Sequence, residues 1–146
     1  MLAVIRIRGI VGRSRKINHT FEKLRLRRKH VCIVVQEKKE IVGMIKKIKD
    51  YVTYGEIDKE TLKLLIEKRG RLIGNKKIKE GTIDDVFIED VINGKARLQD
   101  RNIKPFFRLN SPKKGFGKFG LKKTFKERGA LGYRGKEINS LIKKML

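Results

Sequence analysis

The feature that most constrains this chain is where its charge lies. There are 39 lysines and arginines against 16 acids in 146 residues, a formal net charge of +23. Residues 1–57 carry a net +10, residues 58–100 only +1, and residues 101–146 a net +12. Self-repulsion on this scale disfavours a compact state standing alone. A chain so composed therefore calls for a polyanionic partner, and its near-neutral middle is the segment best suited to packing. Because both ends are basic, two anion-facing regions joined by a packed middle are expected rather than one basic tail.

DNA, RNA and an anionic membrane are the candidate partners. The longest apolar run, Val31–Val35, is far shorter than the ~20 residues of a membrane span. Arg6 and Arg8 interrupt the apolar start Leu2-Ala3-Val4-Ile5, so no secretory segment is expected. A single cysteine, Cys32, leaves no intramolecular disulfide and no cysteine-based zinc site, and reads as a small buried strand residue. A cytoplasmic protein is expected, with no membrane partner.

Hydrophobic spacing in the first third alternates strand and helix. Ala3, Ile5 and Ile7 alternate with Val4, Arg6 and Arg8, the pattern of a half-buried strand. Ser14 can cap a helix carrying Ile17, Phe21 and Leu24. The β-branched run Val31–Val35 is a second strand, Ile41, Met44, Ile45 and Ile48 mark a second helix, and Tyr51–Gly55 a third strand. This β-α-β-α-β order predicts an α+β fold, a ferredoxin-like split core over 1–57 with both helices on one sheet face. A mainly helical and extended basic extension, 58–146, follows. Helices are expected at 58–69, capped by Asp58, at 82–93, opened by Thr82 and stopped at Asn93-Gly94, and at 136–145. The second of these should turn Ile83, Val86, Phe87 and Val91 inward. Segment 101–135 has little periodicity, both prolines and a mixture of Gly, Phe and Lys. A stretch of that length without structure is unusual inside a domain, and is expected of a segment ordered by nucleic acid.

RNA binding needs cations for phosphate, flat groups for stacking, and backbone that can approach closely. Lys113, Lys114, Phe116, Lys118 and Phe119, set among Gly115, Gly117 and Gly120, offer all three. Phe116 and Phe119 could equally anchor the loop to the domain. Lys122, Lys123, Arg108 and Arg134 extend this basic stretch. Arg6 and Arg8 are expected on a helix-free sheet face, a platform for phosphates. Arg13, Arg15 and Lys16 around the first helix, the run Arg25, Arg27, Arg28, Lys29, and the turn with Lys76 and Lys77 complete the candidate contacts.

An enzyme is not expected. His19 and His30 lack metal-ligand spacing, and Asp84, Asp85, Glu89 and Asp90 run round a helix start, where acids complement the dipole. Gly115–Gly120 has the lettering of a dinucleotide fingerprint without its strand and helix. Neither a metal, nor a cofactor, nor a small-molecule substrate is expected.

The residues Arg6-Ile7-Arg8-Gly9, Gly43-Met44-Ile45 and Tyr51-Val52-Thr53-Tyr54-Gly55 resemble the L thirty family of large-subunit ribosomal proteins, in its archaeal form, whose eukaryotic relatives are called L seven. Bacterial members are similar only to about residue 57. Beyond it, Leu64–Gly70, Ile88–Ile92, Pro105–Pro112, Gly129–Tyr133 and Ile138–Met145 resemble the archaeal and eukaryotic extension, with Pro105–Pro112 the most specific. The family often has Pro-Arg-Gly-Gly where this chain has Pro112-Lys113-Lys114-Gly115, and Glu-Gly-Gly where it has Glu127-Arg128-Gly129. The resemblance implies a structural and assembly role on the large ribosomal subunit. It implies contacts with large-subunit rRNA, with 5S rRNA near the base of the central protuberance, and with neighbouring ribosomal proteins. The competing reading is a basic nucleic-acid protein outside the ribosome, of chromatin or RNA-chaperone type.

Overall fold

A computed structural model describes residues 1–9, 11–78, 83–117 and 119–146. The first third forms β1 (Leu2–Arg6), α1 (Arg15–Lys23), β2 (Val31–Val35), α2 (Lys39–Lys47) and β3 (Val52–Glu56), in the order the spacing predicts. β1 lies between β2 and β3 and is antiparallel to both, so β2-α2-β3 is the parallel crossover and β1 fills its gap. The registers run from Leu2 opposite Val35 to Ile5 opposite Cys32, and from Leu2 opposite Glu56 to Arg6 opposite Val52.

The extension contributes α3 (Lys59–Arg69), α4 (Asp85–Ile92), β4 (Phe107–Arg108), β5 (Gly132–Tyr133) and α5 (Ile138–Met145). Its two strands, of two residues each, join the sheet at opposite edges and give the order β4-β2-β1-β3-β5. β4 is antiparallel to β2, with Val31 opposite Arg108, and β5 is parallel to β3, with Thr53 opposite Gly132. The mixed sheet and its helices are an α+β arrangement consistent with a ferredoxin-like core and a C-terminal extension.

Both sheet faces are buried, which corrects the half-buried reading of β1. Leu2, Val4, Ile33 and Val52 pack against Phe21 of α1 and against Ile45 and Ile48 at α2. Ala3, Ile5 and Cys32 face the other way, into a core with Leu62, Leu65 and Ile66 of α3, Ile88 of α4 and Ile138, Leu141 and Ile142 of α5. Continuous apolar runs such as Leu2–Ile5 and Val31–Val35 are what two-sided burial requires. The covering is close at Gly55, where a Cβ would lie 2.0 Å from the Gly135 carbonyl oxygen.

The helix boundaries follow the spacing with two differences. α3 starts after Asp58 and α5 ends at Met145, but α4 is preceded by Asp84, and Thr82 lies outside the described residues. Val86 is 69% exposed rather than inward; Ile83, Phe87 and Val91 are buried as expected. Segment 101–135 is less open than its composition suggests. It holds β4 and β5, and a closed loop in which Phe125 N donates to Leu131 O at 2.8 Å and Ala130 N to Lys123 O at 3.0 Å.

Candidate nucleic-acid interface

The cations divide into those that hold the fold and those left facing outward. Arg6 belongs to the first group, and the helix-free face expected to carry it is absent. Its side chain lies on the α1 side of β1, 1% exposed, with its guanidinium 4.5 Å from the centre of the Phe21 ring. Nη1 donates to the carbonyls of Leu26 at 2.6 Å and Arg27 at 2.7 Å, and Nε donates to Arg8 O at 3.1 Å. Burial, with Arg13 nearby, lowers this guanidinium to about 10. Arg6 therefore shapes the loop that presents Arg25, Arg27, Arg28 and Lys29, while its own charge stays beneath it.

Arg134 is similarly engaged. It is half-buried, stacks 4.3 Å from the centre of the Phe125 ring, and donates to Thr53 Oγ1 and Ala130 O, each at 3.3 Å. Arg8 and Arg13 lie over aromatic rings, Arg8 over Tyr51 at 5.4 Å and Arg13 over Phe21 at 4.7 Å. Arg8 remains exposed and Arg13 is half-buried. Stacking of this kind fixes a guanidinium in place without neutralising it.

The outward group forms four surfaces. Arg15 and Lys16 are exposed in the first turn of α1, which contains no acid, and Ser14 makes no side-chain cap. The positive end of that helix dipole thus adds to the two side-chain charges. Arg25, Arg27, Arg28 and Lys29 are all exposed on the loop before β2. Together with Lys23, Val31, Phe106 and Arg108 of the β4 edge, the first three line a hollow of about 520 Å³ whose single carboxylate is Glu22. Lys76 and Lys77 are exposed at a turn closed by pairing of Arg71 with Lys77. Lys113, Lys114, Lys122 and Lys123 are exposed on the loop between β4 and β5; Lys118 lies outside the described residues.

The two loop phenylalanines, alike in sequence, part company in space. Phe116 is half-buried against Ile7, Ala130 and Leu131, with its ring 5.7 Å from that of His30. Phe119 is 52% exposed, with Lys123 Nζ 5.5 Å from its ring centre. Phe116 anchors the loop; Phe119 offers an open ring beside a cation, the arrangement that suits an unpaired base.

Three acids of the α4 region are ion-paired. The ion pairs found among the described residues are Lys59–Glu89 and Lys63–Asp85, at 2.5 and 2.7 Å between α3 and α4, and Arg101–Asp84, at 2.8 Å between the start of α4 and the turn that follows it. The acidic group at α4 is thus divided among separate cations, and hydrogen bonding to Lys63 lowers the Asp85 carboxyl. No grouping of His, Cys, Asp and Glu suited to a metal occurs among the described residues. No helix there is long and apolar enough to cross a membrane.

Spacing alone missed Arg69, Arg71, Lys104 and Phe106, which border the β4 edge. They lie on separate elements that only the folded extension brings together. The signal available was the exposed type of Arg71 and Lys104 beside apolar neighbours, too common in this chain to single them out.

A family model described as ribosomal protein L30p/L7e matches residues 2–52. The large ribosomal subunit protein uL30 of Methanococcus vannielii is 50% identical over 151 aligned residues, covering 99% of this chain and 98% of the relative. Its namesake in Nanoarchaeum equitans is 46% identical, covering 97% and 96%. That of Archaeoglobus fulgidus is 45% identical, covering 99% of each. By name, these relatives are proteins of the large ribosomal subunit. With half its residues shared across nearly its whole length, the chain belongs to the archaeal uL30 family of ribosomal proteins.

Proposed function

We propose that this protein is a structural constituent of the large ribosomal subunit that binds large-subunit rRNA and contacts 5S rRNA, supporting subunit assembly. The observation that carries this reading is the separation of charge. The acids found in ion pairs, Asp84, Asp85 and Glu89, all lie at α4, while exposed cations of the α1 start, the loop before β2, the 71–77 turn and the β4–β5 loop take no part in the ion pairs found among the described residues. Phosphate oxygens are the chemistry such surfaces accept, and the release of counterions supplies the driving force. Family membership supports the choice of rRNA among polyanions.

Within this reading, residues 1–57 form a ferredoxin-like RNA-binding core and residues 58–146 an extension that covers its second face. Arg8, Arg15, Lys16, Arg25, Arg27, Arg28, Lys29, Lys76, Lys77, Arg108, Lys113, Lys114, Lys122 and Lys123 contact phosphate, with Lys118 in the same stretch. Arg13 and Phe119 add stacking or phosphate contacts. Arg6, Phe116 and Arg134 act by holding these loops in shape. Neighbouring ribosomal proteins and the cytoplasmic ribosome complete the setting.

Co-sedimentation tests it. The protein in a cell extract should travel with large subunits in one-to-one ratio and stay there through a moderate salt wash. Release by that wash, or sedimentation with DNA, would contradict the assignment and support a chromatin-type protein.

A further inference from the structure

The β4 edge carries a feature that no single loop shows. A second hollow, about 370 Å³, lies beside the one already described, lined by Arg69, Arg71, Asn75, Lys104, Phe106 and Arg108. Phe106 and Arg108 border both hollows. Arg108 is exposed, and Phe106 is half-buried, its far side packed on the core beneath β2. The second hollow has no carboxylate in its lining and the first has only Glu22.

Lys104 in the second hollow is held in place by a neutral group rather than by an acid side chain. Its Nζ donates to Asn75 Oδ1 at 2.5 Å, while Arg69 Nη2 donates to the backbone oxygen of Leu146 at 2.6 Å. The Lys104 backbone N–H donates to Arg71 O at 2.8 Å, tying the floor of the hollow to the 71–77 turn. Such bonds orient a cation and leave its charge uncompensated. An edge strand normally invites another strand, yet charged side chains at an edge oppose that pairing. A row of cations along the edge suits a polyanion that runs past it.

We propose that the paired hollows across β4 form a seat for two successive unpaired nucleotides of RNA, with Arg108 between their phosphates and Phe106 as the shared apolar floor. This deepens the rRNA-binding reading and rests on it. Single-stranded RNA is favoured over a duplex by shape. Hollows of about 370 and 520 Å³ have room for bases splayed out of a helix, and such bases are read by aromatic and guanidinium planes. A duplex would meet the rim with its backbone and leave Phe106 uncontacted.

The test uses the full-length protein bound to large-subunit rRNA substituted with 4-thiouridine. After photo-crosslinking and trypsin, which spares the Lys104–Pro105 bond, a nucleotide adduct is expected on the peptide Asn102–Arg108. In parallel, the variant R71A/K104A/R108A should flatten the log–log salt slope of rRNA binding by about 2, three phosphate contacts at ~0.7 each on a single strand. The matched variant K46A/K47A/K49A, three exposed cations outside both hollows, should leave that slope within about 0.5 of the parent's. RNA binding with adducts confined to other peptides, and an unchanged slope in R71A/K104A/R108A, would overturn the seat while leaving the rRNA reading intact. Failure of the unaltered protein to bind rRNA at all would overturn both.

Discussion

At the scale of single residues, the most informative side chain is Arg6. The alternation of Arg6 and Arg8 with isoleucines suggested a surface platform, but the guanidinium is turned under the loop it supports. Alternation cannot tell a solvent face from a second buried face, and a charged residue in a strand is ordinarily taken as exposed. Replacing Arg6 by Met should leave the Leu26 and Arg27 carbonyls without their donor, at a cost of about 1–3 kcal/mol for a buried acceptor left unpaired. Urea unfolding measures this, and rRNA affinity should fall through disorder of loop 25–29 rather than through a lost phosphate contact. Cys32 provides a second residue-scale prediction. It is fully buried, and burial pushes its thiol from an ordinary 9.0 up to about 12. The folded state therefore favours the protonated thiol. That contribution is complete below pH 9 and is lost as pH rises from 9 towards 12. The thiol should also resist alkylation at pH 8 in the native protein and react promptly in denaturant, since the thiolate is the reactive form. Equal rates in both states would place Cys32 at the surface.

At the scale of elements, what was legible depended on how local the signal was. α2 and α5 were readable because Ile41, Met44, Ile45 and Ile48, and Ile138, Leu141, Ile142 and Met145, mark one face within a few turns. β4 and β5 were not, because two-residue strands have no period and their partners, Val31 and Thr53, lie far away in sequence. The exposed cations of the interface were legible individually. Their grouping at the β4 edge was not, since it depends on that pairing. The same limit blurred segment 101–135, which composition treats as uniform. The structure divides it. Residues 123–131 are closed by backbone hydrogen bonds, and the Cβ of any residue replacing Gly129 would fall 2.3 Å from Lys123 O. Among the described residues of 113–122, Lys113 N donates to Lys144 O, Phe119 N donates to Arg128 O at 3.4 Å, and Phe116 is half-buried. Limited trypsin digestion of the free protein should therefore cut first after Lys113, Lys114 or Lys122, and later after Lys126 and Arg128. On intact subunits all these sites should be protected. Equal resistance of Lys113 and Lys114 in both states would mean that the protein alone fixes the loop.

At the scale of the whole molecule, a neutral, ion-paired side and several basic surfaces share one doubly covered sheet. Apolar side chains of the extension fill the sheet face that lacks α1 and α2, so the charges that remain outward are those at the sheet edges and on the loops. This accounts for a net charge of +23 in a chain that still packs a core of ordinary residues. The central claim is that exposed, unneutralised cations hold the protein on rRNA, and the salt dependence of rRNA binding tests it most directly. If six to ten phosphates are contacted in duplex regions, affinity should fall by roughly 10³–10⁵ between 50 and 200 mM salt, along a straight log–log line. A nearly flat plot, with tight binding at both salt concentrations, would show that contacts other than phosphate neutralisation hold the complex together, and would contradict the account.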